Sequence, residues 1–468
     1  MILILSLSAI VILSAIFTNR FLNELGIPAL LFFLCLGLLF NDDNFFRVNI
    51  IDYEQIKELT SLGLGFIIFY GGFCTKWKTA SPVIIQSVIL STLGVFFTAF
   101  LTGSFCYFVL KLSILESFLI GSVIGSTDAA SVFSILRSKS LHLKENTAPL
   151  LELESGSNDP MSYVLVILVL TIMQGRNPEF VVILFLKQML LGVLSGVLIA
   201  KLAIYIFQKT QIVVDGNDNL FIIALILTSY VLPQFYDGNP FLAVYFLGII
   251  LGNANIENKP SMMNFFDGIT KLAQIAIFFT LGFLASPNKI VSILFSGGLI
   301  FLFLTFIVRP IVIFALLAPF KSSLGQKLLV AWAGLRGVAS IVFAIIAMHS
   351  NINLKYDLFH LVFLISVLSV AFQGTFLPWI ARVTNMIDKN VDIRKTFNDY
   401  QEECAIKFMR LTVPTHHQWI NKKIKDITFP DNSLVLYIKR NGVRILPHEN
   451  TKILEGDRIT LTLPLENN

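Results

Sequence analysis

The chain is poor in charged residues, and this shortage says most about its class. Only 14% of its 468 residues are Asp, Glu, Lys or Arg, whereas 55% are hydrophobic. A soluble globular protein carries about 25% charged residues. The 43 phenylalanines and a mean hydropathy of +0.76 add more apolar surface than one soluble core can bury. The composition therefore predicts a multi-span membrane protein.

Cysteine is also scarce, and its spacing excludes a covalent framework. The four cysteines show no CxxC spacing, and three of them lie in or beside apolar runs. We therefore expect buried apolar thiols and neither a disulfide nor a metal framework. The net charge of +5 comes from lysines and arginines scattered over short loops. This scatter favours a membrane-topology signal over nucleic-acid binding.

The N-terminus lacks the basic residues that begin a secretory signal, so we interpret residues 1–18 as an uncleaved first span. A helix needs about 20 apolar residues to cross the hydrocarbon, fewer if it is short or broken. Apolar runs bounded by charge, Pro, Asn and Gly predict thirteen spans. They lie near residues 1–19, 27–40, 58–74, 82–110, 115–138, 147–174, 180–208, 218–233, 240–252, 268–285, 290–318, 326–349 and 355–384.

Loop charge predicts the orientation. With thirteen spans the two termini lie on opposite sides of the membrane. Placing the C-terminus inside gives about eleven Lys and Arg residues in cytoplasmic loops against about six in outer loops, as the positive-inside rule requires. We therefore expect a bacterial inner-membrane protein with its N-terminus outside and its C-terminal domain in the cytoplasm.

The composition changes after residue 385, where charge rises and apolar residues begin to alternate. Alternating runs separated by turn residues predict strands. The runs lie at 433–438, 442–446 and 458–463. We therefore predict an all-α transmembrane domain at 1–385, a polar linker helix at 386–404 and a small soluble β-rich (α+β) domain at 405–468.

Ionisable side chains deep in the apolar segments are costly in lipid and are functional candidates. They are Asp128, the pair Glu154 and Asp159, Arg309 and Arg336. Asp128 and Arg336 lie among glycines and hydroxyl residues in the fifth and twelfth segments. An inverted repeat of six spans around one linker span predicts this offset, and paired glycine-interrupted segments indicate a transporter's binding site. The alternative is that each glycine only permits close helix packing.

The run from Glu152 to Pro160 carries the strongest pattern. Glu154 and Asp159 are five residues apart, about 140° around a helix, so they face different neighbours. We expect Asp159 and Asn158 to face a cavity. We expect Glu154 to pair with Arg309, because an unpaired buried charge is strongly destabilising.

These segments resemble the NhaP/NHE branch of monovalent cation:proton antiporters over roughly residues 1–385. The matching motifs are 125–130 (Gly-Ser-Thr-Asp-Ala-Ala), 154–160 (Glu-Ser-Gly-Ser-Asn-Asp-Pro), 309–310 (Arg-Pro) and 334–337 (Gly-Leu-Arg-Gly). The resemblance implies about thirteen transmembrane helices with inverted repeats, two unwound crossing helices, a dimerisation domain and a mobile core domain. It also implies a homodimer in membrane lipid.

The resemblance further implies roles for individual residues. Asp159 would carry the proton and the monovalent cation in turn. The residues implied to complete or support this site are Asn158, Thr127 and Ser155, with Asp128 beside them. Asp128 and Arg336 would also compensate the exposed helix ends at the crossing, and Glu154 with Arg309 would be structural. Some relatives carry an acidic residue in the third span near a Phe-x-Gly-Gly run, where this chain has Tyr70.

Residues from about 405 to 465 resemble the C-terminal ligand-binding half of potassium-conductance regulatory (RCK/TrkA-C) domains. The cues are the turn at Phe429–Pro430, the Leu446–Pro447 pair and the Leu-Glu-Gly-Asp run at 454–457. No glycine-rich nucleotide fold precedes them, so dinucleotide binding is not supported. The resemblance implies a regulatory small-molecule or nucleotide ligand, and it favours potassium over sodium.

The predicted function is secondary active exchange of K⁺ or Na⁺ for protons, serving pH and cation homeostasis. One titrating carboxylate indicates one-for-one, electroneutral exchange. No cofactor is expected, since the ions and protons are the substrates, and no residue pattern indicates an enzyme. A ligand-gated cation channel and a membrane-bound ion or pH sensor are the alternatives, and flux coupled to protons distinguishes the antiporter from both.

Overall fold

The computed structural model describes the chain in two compact units, Met1–Val391 and Asp392–Asn468. The described residues are 9, 11, 13, 14, 29–40, 53–139, 141–209, 217–256, 258–350, 352, 354–388, 406–414, 417–427, 429, 434–440 and 443–464. Most of the predicted first span and residues 389–404 of the predicted linker helix lie outside them.

The first unit is built from helices. Their bounds are α1 Ala29–Leu39, α2 Tyr53–Cys74, α3 Trp77–Leu110, α4 Ile114–Val123, α5 Ala129–Ser138, α6 Thr147–Met173, α7 Pro178–Lys209, α8 Asp218–Gln234, α9 Pro240–Asn253, α10 Lys259–Leu284, α11 Pro287–Leu316, α12 Leu324–Trp332, α13 Val338–His349 and α14 Leu358–Val383. Among the described residues, six helices are long and apolar enough to cross a membrane, namely α3, α6, α7, α10, α11 and α14.

The helix bounds follow the apolar runs to within a few residues, with one larger difference. The run predicted to begin at 268 begins instead at Lys259. Asn258 precedes it in the left-handed conformation with φ of 60°, and Pro260 occupies the first turn. Proline suits this position because its missing N–H has no partner within the helix there. Amphipathic residues therefore extend this helix beyond its apolar part.

Two predicted spans are interrupted, and their interruptions lie against each other. The segment predicted at 115–138 forms α4 and α5, with the chain unwound at 124–128. The segment predicted at 326–349 forms α12 and α13, unwound around 334–337. The Asp128 N–H donates to the Leu335 carbonyl at 2.9 Å across the two breaks. The glycines and hydroxyl residues of both segments thus mark a real crossing of unwound chain.

Glycines bring α2 and α9 close together beside α6. A Cβ at Gly248 would lie 2.4 Å from the carbonyl oxygen of Phe69, and one at Gly72 would lie 2.7 Å from that of Tyr245. Larger side chains at either position would separate the two helices. The close approach holds Tyr245 next to the middle of α6, where Ser157 bonds its hydroxyl.

The second unit contains a four-stranded antiparallel sheet with strand order β1-β4-β2-β3. The strands are β1 Ile406–Thr412, β2 Leu434–Arg440, β3 Val443–Ile445 and β4 Arg458–Pro464. Its buried core includes Val413, Ile427, Ile438, Ile453, Ile459 and Leu461. Three strands match the predicted runs, and β1 falls where the sequence suggested no strand.

The start of the predicted linker helix differs from the structure. Ile387 forms an antiparallel bridge with Leu143, and the Asp388 N–H donates to the His142 carbonyl at 2.9 Å. Residues 386–388 are therefore extended chain attached to the loop before α6. Their backbone groups find partners in that loop, which a helix beginning at 386 would not allow.

Candidate functional site

The first half of α6 has one open face and one buried face. Ala148, Pro149, Glu152 and Gly156 are partly exposed along one side. Glu154 and Asn158 point away from this side and are buried, whereas Ser155 lies at its edge and is 7% exposed. Asp159 lies at the inner end of the open side and retains 9% exposure. The periodicity of the helix thus places Asp159 on the same side as the partly exposed residues of its first turns.

Asn158 faces the break between α4 and α5. Its Nδ2 donates to the Thr127 hydroxyl at 2.6 Å, and the Ser155 hydroxyl donates to the Thr127 carbonyl. The sequence predicted that Asn158 would face a cavity beside Asp159. The amide nitrogen of Asn158 therefore holds the unwound chain, and the cavity shared with Asp159 stays a prediction.

Two neighbouring residues of α6 each carry a buried oxygen that has no hydrogen-bond donor among the described residues. Within the part of the chain that the structure describes, Asp159 Oδ1 and Asn158 Oδ1 are buried and accept no hydrogen bond. The Ser126 side chain and the carboxylate of Asp128 both lie close enough to the Asp159 carboxylate to interact with it. Unsatisfied buried oxygens are costly. A dehydrated cation or a proton on the carboxylate would remove that cost.

Asp128 and Arg336 lie at the ends of the broken helices. The Asp128 carboxylate accepts from the Ser131 N–H at 3.2 Å and the Ser131 hydroxyl at 2.6 Å, and so caps the start of α5. A Cβ at Gly337 would lie 2.1 Å from Asp128 Oδ2, so this carboxylate also touches the start of α13. Negative charge at helix N-termini is favourable.

Arg336 is 1% exposed. Its side chain lies at the C-terminal end of α4, whereas Asp128 lies at the N-terminal ends of α5 and α13. Its Nη1 donates to the carbonyls of Gly125 and Ser126, which follow the last turn of α4. Positive charge at such a C-terminal end is favourable for the same electrostatic reason. The two charges expected at the crossing therefore each contact the backbone groups that unwinding leaves open.

Glu154 and Arg309 form the expected ion pair. Arg309 Nη1 and Nη2 both donate to Glu154 Oε1 at 3.0 Å, and both residues are at most 3% exposed. A Cβ at Gly334 would lie 2.5 Å from Arg309 Nε, so the guanidinium packs on the unwound chain after α12. The pair therefore joins α6 and α11 to the crossing.

Residues of α14 also support the crossing, and no sequence pattern indicated them. The Arg336 N–H donates to the Ser369 hydroxyl at 2.9 Å, and Gln373 Nε2 donates to the Trp332 carbonyl at 3.1 Å. Ser369 and Gln373 lie in a π-helical stretch of α14, Ser369–Gly374, and bond each other at 2.6 Å. Such stretches frequently accompany functional sites.

Asn239 and Ser162 were likewise not predicted. Asn239 caps α9 and donates its Nδ2 to the Pro160 carbonyl at 2.9 Å. An Asn before a Pro is a typical helix start and could have marked it. Ser162 is fully buried with its hydroxyl unpaired within the described residues, and a Cβ at Gly125 would lie 3.2 Å from it.

An acidic side chain reaches Tyr70 from another helix. The Tyr70 hydroxyl donates to Asp267 Oδ1 of α10 at 3.2 Å, and Asp267 also pairs with Lys271. The third predicted span, α2, has no acidic residue of its own at this position, but Asp267 of α10 lies next to it. Tyr70 carries no charge that demands a partner, so nothing in the sequence indicated its contact with Asp267, 197 positions away.

The donor set suits a singly charged cation. The described residues contain no group of three or more His, Cys, Asp and Glu side chains that could hold a metal ion. One carboxylate with amide, hydroxyl and carbonyl oxygens offers hard ligands and little charge. Such sites suit oxygen-loving ions, whereas transition metals take nitrogen and sulfur ligands.

Comparison with known families matches nearly the whole chain. The family model described as "Sodium/hydrogen exchanger, transmembrane" matches residues 8–383. The model described as "TrkA-C domain" matches residues 408–467. The two matches cover the helical unit and the sheet of the second unit, respectively.

Curated relatives and solved structures agree with these matches. The chain is 29% identical over 445 residues to the K(+)/H(+) antiporter NhaP2 of Shewanella baltica, covering 93% of this chain and 76% of that protein. It is 29% identical over 433 residues to the K(+)/H(+) antiporter NhaP of Alkalimonas amylolytica, covering 92% and 75%. The sodium proton antiporter MjNhaP1 of Methanocaldococcus jannaschii superposes with a TM-score of 0.70 at 22% identity, covering 81% of this chain and 98% of that structure.

Proposed function

Because this chain belongs to the sodium/hydrogen exchanger family and is a cation:proton antiporter, we propose that Asp159 is the carboxylate on which cation and proton compete. The observation that carries this proposal is the pair of buried oxygens without donors, Asp159 Oδ1 and Asn158 Oδ1. Thr127 and Ser155 fix the site by orienting Asn158 and the unwound chain. Asp128 lies close enough to add negative charge.

The mechanism follows from having one carboxylate with two competing ligands. Asp159 holds a dehydrated cation with help from neutral oxygens, or it holds a proton. If only these two forms change access, a cation moving one way forces a proton the other way. Movement of one helix bundle against another exposes the site alternately to each side. Since one cation replaces one proton, the exchange is electroneutral.

Glu154, Arg309 and Arg336 have a structural role in this proposal. Their charges are buried and bonded to one another's helices or to backbone carbonyls. They hold the unwound segments in place while Asp159 changes its ligand. Breaking the Glu154–Arg309 pair would therefore disrupt the crossing of the unwound segments, and it would affect ion binding at Asp159 only through that loss of structure.

Potassium is the proposed physiological cation. Two relatives that align with over 90% of this chain carry the name K(+)/H(+) antiporter. The C-terminal TrkA-C match supports the same choice and a regulatory ligand, either a small molecule or a nucleotide, at the second unit. The antiporter is proposed to serve pH and cation homeostasis.

The proposed arrangement in the membrane goes beyond the six long apolar helices. It comprises thirteen spans in an inverted repeat, a homodimer, and a bacterial inner-membrane location with the C-terminal unit in the cytoplasm. The two broken segments support the repeat, since they lie seven spans apart in the predicted order. The proposed domain limits are 1–385, 386–404 and 405–468, with the linker's first three residues extended.

A dequenching assay in proteoliposomes tests the function. Vesicles containing the wild type and Asp159→Asn are compared with K⁺, Na⁺ and Li⁺. We expect cation-driven proton movement in the wild type, with K⁺ effective, and none in Asp159→Asn. Asp237→Asn, a change of a half-exposed surface residue paired with Lys187, is the matched control and keeps exchange.

The same vesicles separate the rival functions. Net current without a pH change would favour a cation channel, and ion binding without flux would favour a sensor. An exchange rate that responds to membrane voltage at saturating ions would contradict electroneutral exchange while leaving antiport intact.

A further inference from the structure

The connector between α10 and α11 is two residues long and joins helices that pack with different neighbours. α10 packs mainly on α1 and α2, whereas α11 packs on α3 and α14. The backbone of Ala285 and Ser286 is extended, and Pro287 begins α11. A residue before proline is restricted to extended conformations, so the connector has little freedom of its own. A movement of one group of helices against the other would therefore reorient these two residues.

His360 of α14 holds this connector. Its Nε2 accepts a hydrogen bond from the Ser286 N–H at 2.9 Å, and the residue is 3% exposed. The Ser286 carbonyl in turn accepts from the N–H groups of Lys289 and Ile290 in the first turn of α11. The imidazole thus joins the start of α14 to the end of α10 and the start of α11.

The bond from Ser286 defines which nitrogen of the imidazole carries the proton. A ring nitrogen that accepts a hydrogen bond has no proton, so the ring is neutral and its proton lies on Nδ1. His360 Nδ1 is 2.9 Å from Asp357 Oδ2. A second proton would go to Nε2, where its N–H would face the Ser286 N–H. Two donors cannot bond each other, so the imidazolium would keep Asp357 and lose the connector.

Charged groups connect this histidine to solvent. Lys289 Nζ lies 3.2 Å from Asp357 Oδ2, and the two side chains are 61% and 26% exposed. Burial raises the pKa of Asp357, but bonds from His360 and Lys289 outweigh it and lower the pKa to about 2. The carboxylate therefore stays charged at any ordinary pH and remains a counter-ion for an imidazolium.

The other ionisable groups at this end of the helices contact different partners. Glu116 of α4 accepts from the backbone N–H groups of the two residues that precede Asp357. Within the described residues, the ionisable side chains at this end of the elements packed against the start of α14 are Asp357, Lys355 and Tyr356 from its own loop, Lys289 from α11, Glu116 from α4 and His349 from α13.

We propose that His360 is a proton-operated latch on the α10–α11 connector. The neutral ring holds the Ser286 N–H and stabilises the arrangement of helices seen here, and protonation releases the connector. Histidine is the side chain whose ordinary pKa places this change between about pH 5 and 8. In the proposed orientation the latch responds to the pH outside the cell. Its effect on transport rests on the proposed movement of helix bundles, whereas the latch itself does not involve Asp159.

Hydrogen exchange of the Ser286 amide tests the latch directly. The full-length protein in detergent is labelled in D₂O at about pH 8 and about pH 5, and mass spectrometry of peptides covering 284–290 gives exchange rates relative to the intrinsic rates at each pH. Because a hydrogen bond contributes about 1 kcal/mol, wild-type protection should fall roughly fivefold at the lower pH. Protection that does not change with pH would overturn the proposal.

Two glutamine variants separate the latch from a merely structural role. His360→Gln supplies a neutral oxygen acceptor that does not titrate in this range, so the protection should be retained at both pH values. His349→Gln, the same change at an exposed histidine at the end of α13, is the matched control and should show the wild-type fall in protection. An equal fall in His360→Gln would contradict the proposal.

Exchange in right-side-out vesicles carries the test to transport. Stabilising one arrangement of helices slows departure from it, so release of the latch should speed the movement. With the outer solution at about pH 5, the wild type and His349→Gln should exchange roughly two- to fivefold faster than His360→Gln. At about pH 8 the three proteins should be equal. The same dependence on outer pH in all three would overturn the latch.

Asp357→Asn keeps the test valid if His360→Gln does not fold. Asp357 Oδ1 accepts the His360 backbone N–H at 3.3 Å, and asparagine is an equally good residue at a helix start. Without the carboxylate the imidazolium loses its counter-ion, so the loss of Ser286 protection should move to lower pH by roughly one unit. An unchanged midpoint would count against the latch. Asp159→Asn should keep the wild-type protection, so retained exchange in that variant would refute the proposed function and not the latch.

Discussion

Glu154 and Arg309 are joined by two hydrogen bonds of 3.0 Å that end on a single carboxylate oxygen. The pair is enclosed, and Arg309 also lies on Gly334 in the unwound chain after α12. A buried pair need not stabilise a fold more than apolar residues would. Its position therefore indicates that it fixes the location of the crossing relative to α6.

Removing one member of this pair should destabilise the helical unit strongly. Glu154→Gln leaves the Arg309 charge buried without its counter-ion, which typically costs about 3–5 kcal/mol. Thermal unfolding of the purified protein, followed by loss of its monodisperse peak on size-exclusion chromatography, measures the effect.

The control for this prediction is the surface pair of the exposed Lys271 and the partly buried Asp267. Lys271 is 64% exposed, and Lys271→Ala should shift the unfolding temperature little, since such pairs contribute about 0–1 kcal/mol. If Glu154→Gln shifted it no more than Lys271→Ala does, the pair would not hold the crossing.

Thr127→Val should weaken cation binding while leaving the fold in place. The change removes the hydroxyl that accepts from Asn158 Nδ2 at 2.6 Å. A hydrogen bond contributes about 1 kcal/mol net. Because about 1.4 kcal/mol corresponds to a tenfold change in affinity, the half-saturating K⁺ concentration should rise roughly fivefold. Initial exchange rates over a range of K⁺ concentrations measure it.

Thr228→Val is the matched control for Thr127→Val. Thr228 is exposed on α8, and its hydroxyl bonds only the Ala224 carbonyl of the same helix. Exchange should be unaffected. Equal half-saturating K⁺ concentrations in the two variants would show that the Thr127 hydroxyl takes no part in cation binding.

Gly337→Ala should damage the crossing through a single methyl group. The added Cβ would lie 2.1 Å from Asp128 Oδ2, and Asp128 is held by two bonds to Ser131. Overpacking of this kind costs about 1–3 kcal/mol, and the displaced carboxylate should reduce exchange. Unfolding temperature and exchange rate are measured together.

Gly298→Ala makes the same change in open space, since a Cβ there meets nothing within 4 Å. Alanine in a helix interior is more favourable than glycine by about 0.5–1 kcal/mol. Gly298→Ala should therefore retain stability and exchange. If Gly337→Ala behaved in the same way, Asp128 would not be confined as described.

Asp457 should make the second unit sensitive to acid. The side chain is fully buried, and burial raises its pKa, but bonds from Arg440 at 2.8 Å and from the Leu454 N–H outweigh this and hold the pKa below its usual value. Because the folded pKa is lowered, this stabilisation is present above about pH 4 and is lost as the pH falls through the folded pKa.

The variant Asp457→Asn tests whether the stability of the second unit falls with pH as described. At pH 7 the variant should lose about 2 kcal/mol of stability in the second unit, since charged hydrogen bonds are broken. Limited proteolysis of the full chain, with cleavage sites mapped by mass spectrometry, should show faster cutting within 406–464. The difference from the wild type should narrow below about pH 4, and a difference that widened there would contradict the linkage.

Much of the site could be predicted from local sequence. Glycines and hydroxyl residues in the fifth and twelfth segments indicated where helices unwind, because both weaken a helix in lipid. The need to neutralise a buried charge indicated that Glu154 and Arg309 meet. Both inferences use rules that act within a segment or between opposite charges.

The features that could not be predicted from the sequence depend on how distant segments of the chain pack against one another. Ser369 and Gln373 reach the crossing only because a π-helical stretch changes the register of α14. Asp267 meets Tyr70 across 197 residues of sequence. Strand β1 was missed because its partner β4 lies at the far end of the second unit. Each of these is fixed by tertiary contacts that no local pattern encodes.

Proton release on cation binding tests the shared carboxylate most directly. Purified protein in weakly buffered detergent solution is titrated with K⁺ while a pH indicator follows the bulk solution, with choline as the inert cation. Wild type should release protons that saturate together with K⁺ binding, and Asp159→Asn should release none. Undiminished K⁺-dependent proton release from Asp159→Asn would contradict the account.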